Sequence, residues 1–346
     1  MIPRLNISRR SRWQFRPLVE RCEARITPAT ATLSSGVLTV NFTNAGSVAE
    51  SVTLTDDGTN ITLTGNVSGA TSNPVGNVNT IVLQDTAGGT TQSATFTGST
   101  PFALKGGLSS AGIETATFST AITTLGTLSL TGSGQMATFS ATGNHAIQLA
   151  VGAGVTALVN GSFDATSFVQ VDGTLGGKGS VGTVTVTNTG RIAPGNSTNR
   201  LTTGNVVFNS GSVFDFKAGG VNAGVDQEQL AITGTVDLGG ATLQASFNYF
   251  PGSKQAFKII DNDGSDAITG TFNGYTEGAT VTIAGQNFTL SYQGGDGNDV
   301  TLTAPPPPSV QSVILDEGTG NRTLMASTAR PSVPWCDGFA LSSLSR

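Results

Sequence analysis

DGTLGGKGSVGTVTVTNTGRIAPGNSTNRLTTGNVVFNSGSVFDFKAGG, residues 172–220, decides the fold. A glycine, a small or polar residue and a large apolar residue recur together in it, as Gly173-Thr174-Leu175, Gly190-Arg191-Ile192 and Gly211-Ser212-Val213. Gly234-Thr235-Val236 follows, so the steps are 17, 21 and 23 residues, the length of one coil of a β-solenoid. In that geometry the glycine turns the corner and the apolar residue two positions on points inward, stacked on its equivalents above and below. Gly126-Thr127-Leu128, Gly161-Ser162-Phe163 and Gly270-Thr271-Phe272 extend the pattern in both directions.

Outside this stretch the chain is a succession of short alternating segments. VLTVNF (37–42), SVTLT (51–55), NITLTG (60–65), TIVLQD (80–85), SATFTG (93–98) and TATFST (115–120) each place apolar residues on one face and Thr, Ser, Asn or Gln on the other. Composition agrees: 46 Gly and 51 Thr stand against 11% charged and 6% aromatic residues, which favours pleated strands and tight turns over helices. The class is all-β. A β-sandwich would share the short strands but would show hairpin turns every 8 to 12 residues or so and less internal repetition. If residues 30–303 coil at ~20 residues per turn, about 13 or 14 coils spanning ~65 Å result.

The run 172–220, continued by DQEQLAITGTVDLGGATLQ (226–244), FKIIDNDG (257–264), GTFNGYTEGATV (270–281) and YQGGDGNDVTLT (292–303), resembles the autotransporter-associated β-strand repeat family. The resemblance implies a right-handed parallel β-helix like the passenger regions of autotransporters. Residues 30–124 fit that architecture by pattern alone.

The ends read differently. Residues 1–25 hold seven Arg against Glu20 and Glu23, whereas the remainder carries 10 basic and 20 acidic residues. Leu18, Glu20, Glu23, Arg25, Pro28 and Ala29, with Cys22 in the place of a second Leu, resemble the leader of large secreted bacterial β-repeat proteins. Residues 1–29 are therefore an expected export leader. APPPPS (304–309) is a polyproline spacer, and 310–346, where the alternation stops, is an expected truncated or disordered tail. With both tails expected disordered, the organisation is leader 1–29, N-terminal solenoid 30–124, repeat β-helix 125–303, linker 304–309 and tail 310–346. Cys22 and Cys336 lie in the tails, so the body needs no disulfide.

Chemistry-bearing groups are few. His145 is the lone histidine, and a Ser-His-Asp arrangement around it competes with a simple turn residue. DNDGSD (261–266) gathers Asp261, Asp263 and Asp266, oxygen ligands of the kind calcium takes, but the EF-hand spacing is missed. GGDGND (294–299) opens like a calcium-binding nonapeptide, yet occurs once and puts Thr301 where the large apolar residue belongs. Solvated turn carboxylates and a hairpin turn are the preferred readings. Seven basic residues occur between Thr30 and Ala304: Lys105, Lys178, Arg191, Arg200, Lys217, Lys254 and Lys258. They are scattered over many coils. No catalytic, cofactor-binding or metal-binding residue is assigned, and no cofactor is expected. The expected function is an exported extracellular or cell-surface structural or adhesin-like solenoid, with surface polysaccharide or other cell-envelope components as candidate partners. The alternative is a β-helical polysaccharide lyase or hydrolase, degenerate or active. The acidic body argues against nucleic acid. No run of the sequence is long and apolar enough for a membrane helix.

Overall fold

The computed structural model describes residues 27–45, 48–89, 91–195 and 199–306. The expected leader before Thr27, both cysteines and the tail after Pro306 lie outside the described residues.

The alternating segments form strands, and the chain passes back and forth between two long sheets, adding one parallel rung to each per pass. The first sheet takes Val37–Phe42, Thr80–Asp85, Leu108–Ala111, Ile122–Thr131, His145–Val151, Phe168–Val171, Thr183–Val186, Val206–Phe208 and Val236–Asp237. The second takes Glu50–Asp56, Gln92–Gly98, Thr115–Phe118, Met136–Phe139, Thr156–Val159, Thr174–Gly177, Arg191–Pro194, Val213–Ala218 and Thr242–Phe247. Parallel pairing cannot be closed by a tight hairpin, so each rung must wait for a whole pass of chain. The third set of strands, Arg200–Thr203, Gln229–Ile232 and Ala256–Asn262, is also parallel.

The core is a set of in-register columns. On the first sheet Leu38, Ile81, Leu108, Leu128, Leu149, Val169, Val184, Val206 and Val236 pair in succession and are all buried. On the second, Phe96, Phe118 and Phe139 stack with ring centroids 4.7 and 4.4 Å apart. Beside them runs a column of Ala94, Ala116, Ala137 and Ala157. Large beside small fills the interior without overlap. The ATF triplet at 94–96, 116–118 and 137–139 is this pair of columns written in the sequence.

Three expectations change. The first concerns length: each sheet has nine parallel rungs rather than 13 or 14, giving a parallel stack of about 40 Å at ~4.8 Å per step. The missing coils are antiparallel caps. Ala29–Ser34 folds back on Val37–Phe42, and Asn60–Gly65 folds back on Glu50–Asp56. At the other end Asp299–Thr303 runs antiparallel between Ala256–Asn262 and Gln286–Gly294, and Thr280–Ile283 makes a hairpin with the latter. The reversed strands at the start pair with the first parallel rung of each nine-rung sheet, whereas those at the other end extend the third sheet and leave Thr242–Phe247 as the edge of the second.

The second concerns the glycines. Gly161, Gly173 and Gly190 do not adopt positive φ. A Cβ at Gly190 would instead overlap the carbonyl oxygen of Val171 in the preceding pass. Glycine is required there because two backbones approach closely.

The third is a shift of one residue. Val213 is half-buried and faces outward, while Phe214 pairs with Ile192 and is fully buried. The longer pass 195–212 changes the parity, and the larger apolar side chain takes the interior slot.

The strand Ile122–Thr131 runs unbroken through position 124/125, and one hydrophobic cluster extends from Ala29 to Ala304. The start of the proline linker is tied down: Ala304 N–H donates to the Gln255 carbonyl (2.8 Å), and the Pro305 carbonyl accepts from Lys254 N–H (3.2 Å). No described helix is long and apolar enough to cross a membrane.

Candidate functional site

The two acidic turns, distant in sequence, pack against one another at the C-terminal end. The backbone of 294–299 is a hairpin turn, with Gly294 opposite Asp299. Asn262 N–H donates to Asp299 Oδ1 (2.9 Å), and the Asn298 side-chain amide donates to the carbonyl of Asp266 (3.1 Å). Asp263 and Asp266 are exposed, whereas Asp299 is fully buried and Asp261 half-buried.

Lys258 ties these elements together. Its Nζ lies 2.8 Å from Asp261 Oδ1 and 2.7 Å from Asp299 Oδ2, between the two carboxylates. Arg200 reaches the other Asp261 oxygen at 3.0 Å. Burial pulls the Lys258 pKa down, but the hydrogen bonds and charges of Asp261 and Asp299 outweigh it and raise the value overall. The ammonium thus occupies the position between the carboxylates that a bound cation would take. Among the described residues, no group of three or more His, Cys, Asp or Glu side chains is placed to hold a metal ion. In the sequence Asp261 stands out within DNDGSD, whereas Lys258 and Asp299 do not; the three-residue spacing of Lys258 and Asp261 is the local signal for their pairing.

His145 Nδ1 pairs with Asp164 Oδ2. Burial raises the Asp164 pKa, and bonds from Thr166, His145 and Ser167 more than offset this, leaving it lowered. Ser167 Oγ donates to Asp164 Oδ1 (3.1 Å), so the hydroxyl is bonded to the carboxylate rather than to the imidazole. A serine nucleophile needs its base on the hydroxyl itself. The arrangement pins a turn between successive passes.

A second charged group lies on the outer face of the second sheet. Arg191 NH1 is 2.9 Å and Lys217 Nζ 3.4 Å from the same Asp215 oxygen, Oδ2. Arg191 also donates to Gln244 Oε1 at 2.7 Å. Beneath them Glu228 is buried, its Oε2 accepting the Lys217 backbone N–H at 3.0 Å. Burial pushes its pKa up to about 7; the Lys217 ammonium and N–H pull it down, and Asp215 pushes it up further.

A carboxyl group whose pKa rises on folding stabilises the fold below its unfolded value, and that contribution is lost as pH rises through the folded value. Stability is therefore expected to fall between about pH 4.5 and pH 7 and to level off above that. Glu228→Gln should remove this slope and gain on the order of 2 kcal/mol at pH 8, with little change at pH 4.5. Urea denaturation of both proteins across that range tests it. Parallel pH profiles would refute the assignment.

No protein-family model matches the chain, and no curated protein matches it. Among solved structures it is similar to the crystal structure of the Haemophilus influenzae Hap adhesin, at 14% identity and a TM-score of 0.33. The match covers 80% of this chain and 31% of that one, so this chain spans less than a third of that structure's length.

Proposed function

We propose that this chain is an exported right-handed parallel β-helix of the autotransporter-associated repeat kind, acting outside the cell as a structural or adhesin-like element without catalytic activity. The observation that carries the reading is the pair of nine-rung parallel sheets with unbroken apolar columns. A stack of that kind is stiff along its axis, because every rung is bonded to the rung on either side. Its outward positions are largely Thr, Ser, Asn and Gln, as in Thr39, Ser109, Ser129, Gln170 and Thr185 on one face. Such a surface suits many weak contacts rather than one deep substrate pocket.

The second reading, a β-helical polysaccharide lyase or hydrolase, is favoured by one observation: Asp261 lies within reach of both Arg200 and Lys258. Against it, Lys258 has a raised pKa and is held between two carboxylates, so it stays an ammonium and is a poor general base.

Fractionation of expressing cells, with N-terminal sequencing of the mature chain, tests the proposal. Recovery outside the cytoplasm with a new N-terminus near Ala29 to Thr32 is the expected result. An intact Met1 on cytosolic protein would overturn it.

A further inference from the structure

The second sheet is built at its N-terminal end from one recurring triplet: Thr-Leu-Thr at 53–55 and 62–64, Thr-Phe-Thr at 95–97, and Thr-Phe-Ser at 117–119 and 138–140. Pairing sets the triplets in register. Thr64, Thr53, Thr95, Thr117 and Thr138 are partners in succession, so five threonines make one column. Thr62, Thr55 and Thr97 make a second. Ser119 N–H donates to the Phe96 carbonyl and Ser140 N–H to the Phe118 carbonyl, both at 2.9 Å, which carries the second column on through two serines. The Leu or Phe at the centre of each triplet is buried, so the hydroxyl residues on either side of it face out of the sheet. The first column ends at Leu158, the partner of Thr138 in the next rung.

The ten positions form a regular grid. Rungs repeat at about 4.8 Å and alternate residues along a strand at about 6.6 Å, over about 19 Å of the stack. Directly beneath, the planes of Phe96 and Phe118 lie 18° from parallel and those of Phe118 and Phe139 only 3°. Adjacent strands ordinarily rotate by about 20 to 25°, so this part of the sheet is close to flat. Threonine is branched at Cβ and stiff at χ1, which fixes where each hydroxyl and methyl sits. Thr64, Ser119 and Ser140 are exposed and the others half-buried.

The chemistry of the grid selects its ligand. None of the ten residues is charged or aromatic. The grid therefore has no aromatic face for a sugar ring, no large apolar or arginine anchor for a protein partner, and no cation for a phosphate or sulfate. It offers hydroxyls, each able to donate and to accept, interspersed with methyl groups, at two fixed spacings close to the oxygen repeats of the ice lattice. Liquid water rearranges around hydroxyls in any pattern and gains nothing from their regularity. A water crystal meets a preorganised array at many points at once, with little ordering left to be lost on binding.

We propose that this face of the second sheet binds ice, its two columns of hydroxyls and methyls matching ordered water at the crystal surface. The inference goes beyond the adhesin-like reading and does not rest on it, since ice is presented to the purified protein.

The experiment grows ice slowly in a solution of the full-length protein, measures the protein taken into the ice and left in the liquid, and reads the gap between melting and freezing points of the same solution. Uptake into the ice and a measurable gap are expected. Thr95→Tyr and Thr117→Tyr, in the middle of the grid, should each abolish most of both. Tyrosine is a good strand residue and both positions face outward, so the melting temperature of the protein should hold. Val82→Tyr, at an outward position of the first sheet, should change neither readout. Exclusion of the parent protein from ice, no loss in a folded Thr95 or Thr117 variant, or an equal loss in Val82→Tyr would overturn the proposal.

Discussion

Phe118→Ala is expected to lower the stability of the fold by about 4 kcal/mol or more. Phe118 is fully buried and is the middle ring of three, with Phe96 4.7 Å on one side and Phe139 4.4 Å on the other. Truncation loses the apolar transfer energy of a phenyl ring and two ring contacts, each worth about 1 kcal/mol. The hole cannot collapse, because the neighbours Ala116 and Ala137 are small and are held by parallel pairing on both sides. In a stack whose units contact only their neighbours, the damage is local, so the rungs before and after can separate into two cooperative units. Urea denaturation should show the loss together with a shallower transition. Phe118→Leu, which keeps much of the volume, should cost about 1.5 kcal/mol. A loss below about 2 kcal/mol in the alanine variant would mean that the rings are not the main cohesion of this part of the core.

Gly161→Ala should be nearly as damaging, at about 3 kcal/mol, although it adds only a methyl group. The new Cβ would overlap the carbonyl of Ala141 and approach that of Ser140, both backbone groups of the preceding pass. Neither side can yield. Gly161 N–H donates to the Phe139 carbonyl at 2.9 Å, Ser162 N–H donates to the Ala141 carbonyl at 3.1 Å, and the Gly161 carbonyl accepts Ser180 N–H at 3.1 Å. Relief of the overlap therefore breaks ladder bonds in two passes at once. Gly76, whose added Cβ would meet nothing within 4 Å, is the control; Gly76→Ala should stay within about 0.5 kcal/mol of the parent. Similar melting temperatures for the two variants would show that the passes are not as closely apposed at Gly161 as the structure places them.

Both results bear on what could be read in advance. The apolar residue following each glycine reported the interior correctly at Leu128, Phe163, Leu175, Ile192, Val236 and Phe272, all buried. Alternation of side chains is a property of a single strand, so it survives in the sequence. The exception, Val213, arose where the length of the connecting pass altered the parity, and a count of residues along one strand does not record that. The antiparallel caps were missed because an antiparallel strand alternates in the same way as a parallel one; Asn60–Gly65 and Thr80–Asp85 have the same pattern and different partners. On the site side, the Thr-x-Thr and Thr-x-Ser triplets were visible one by one. Their alignment into two columns was not, because it depends on which rungs lie side by side.

The sequence by itself determined the strand content, the inward and outward faces and the roughly twenty-residue period of the middle passes, because each follows from side-chain alternation and spacing within a short stretch. Only the tertiary structure decided which strands reverse to cap the stack, why the glycines at 161, 173 and 190 admit no side chain, and which charges meet. Lys258 finds Asp299 only because the strand Asp299–Thr303 returns antiparallel to Ala256–Asn262. Arg191 meets Asp215 and Gln244 only because successive passes set their strands side by side. Contacts of that kind depend on distances between separate passes of the chain, and no local pattern carries them.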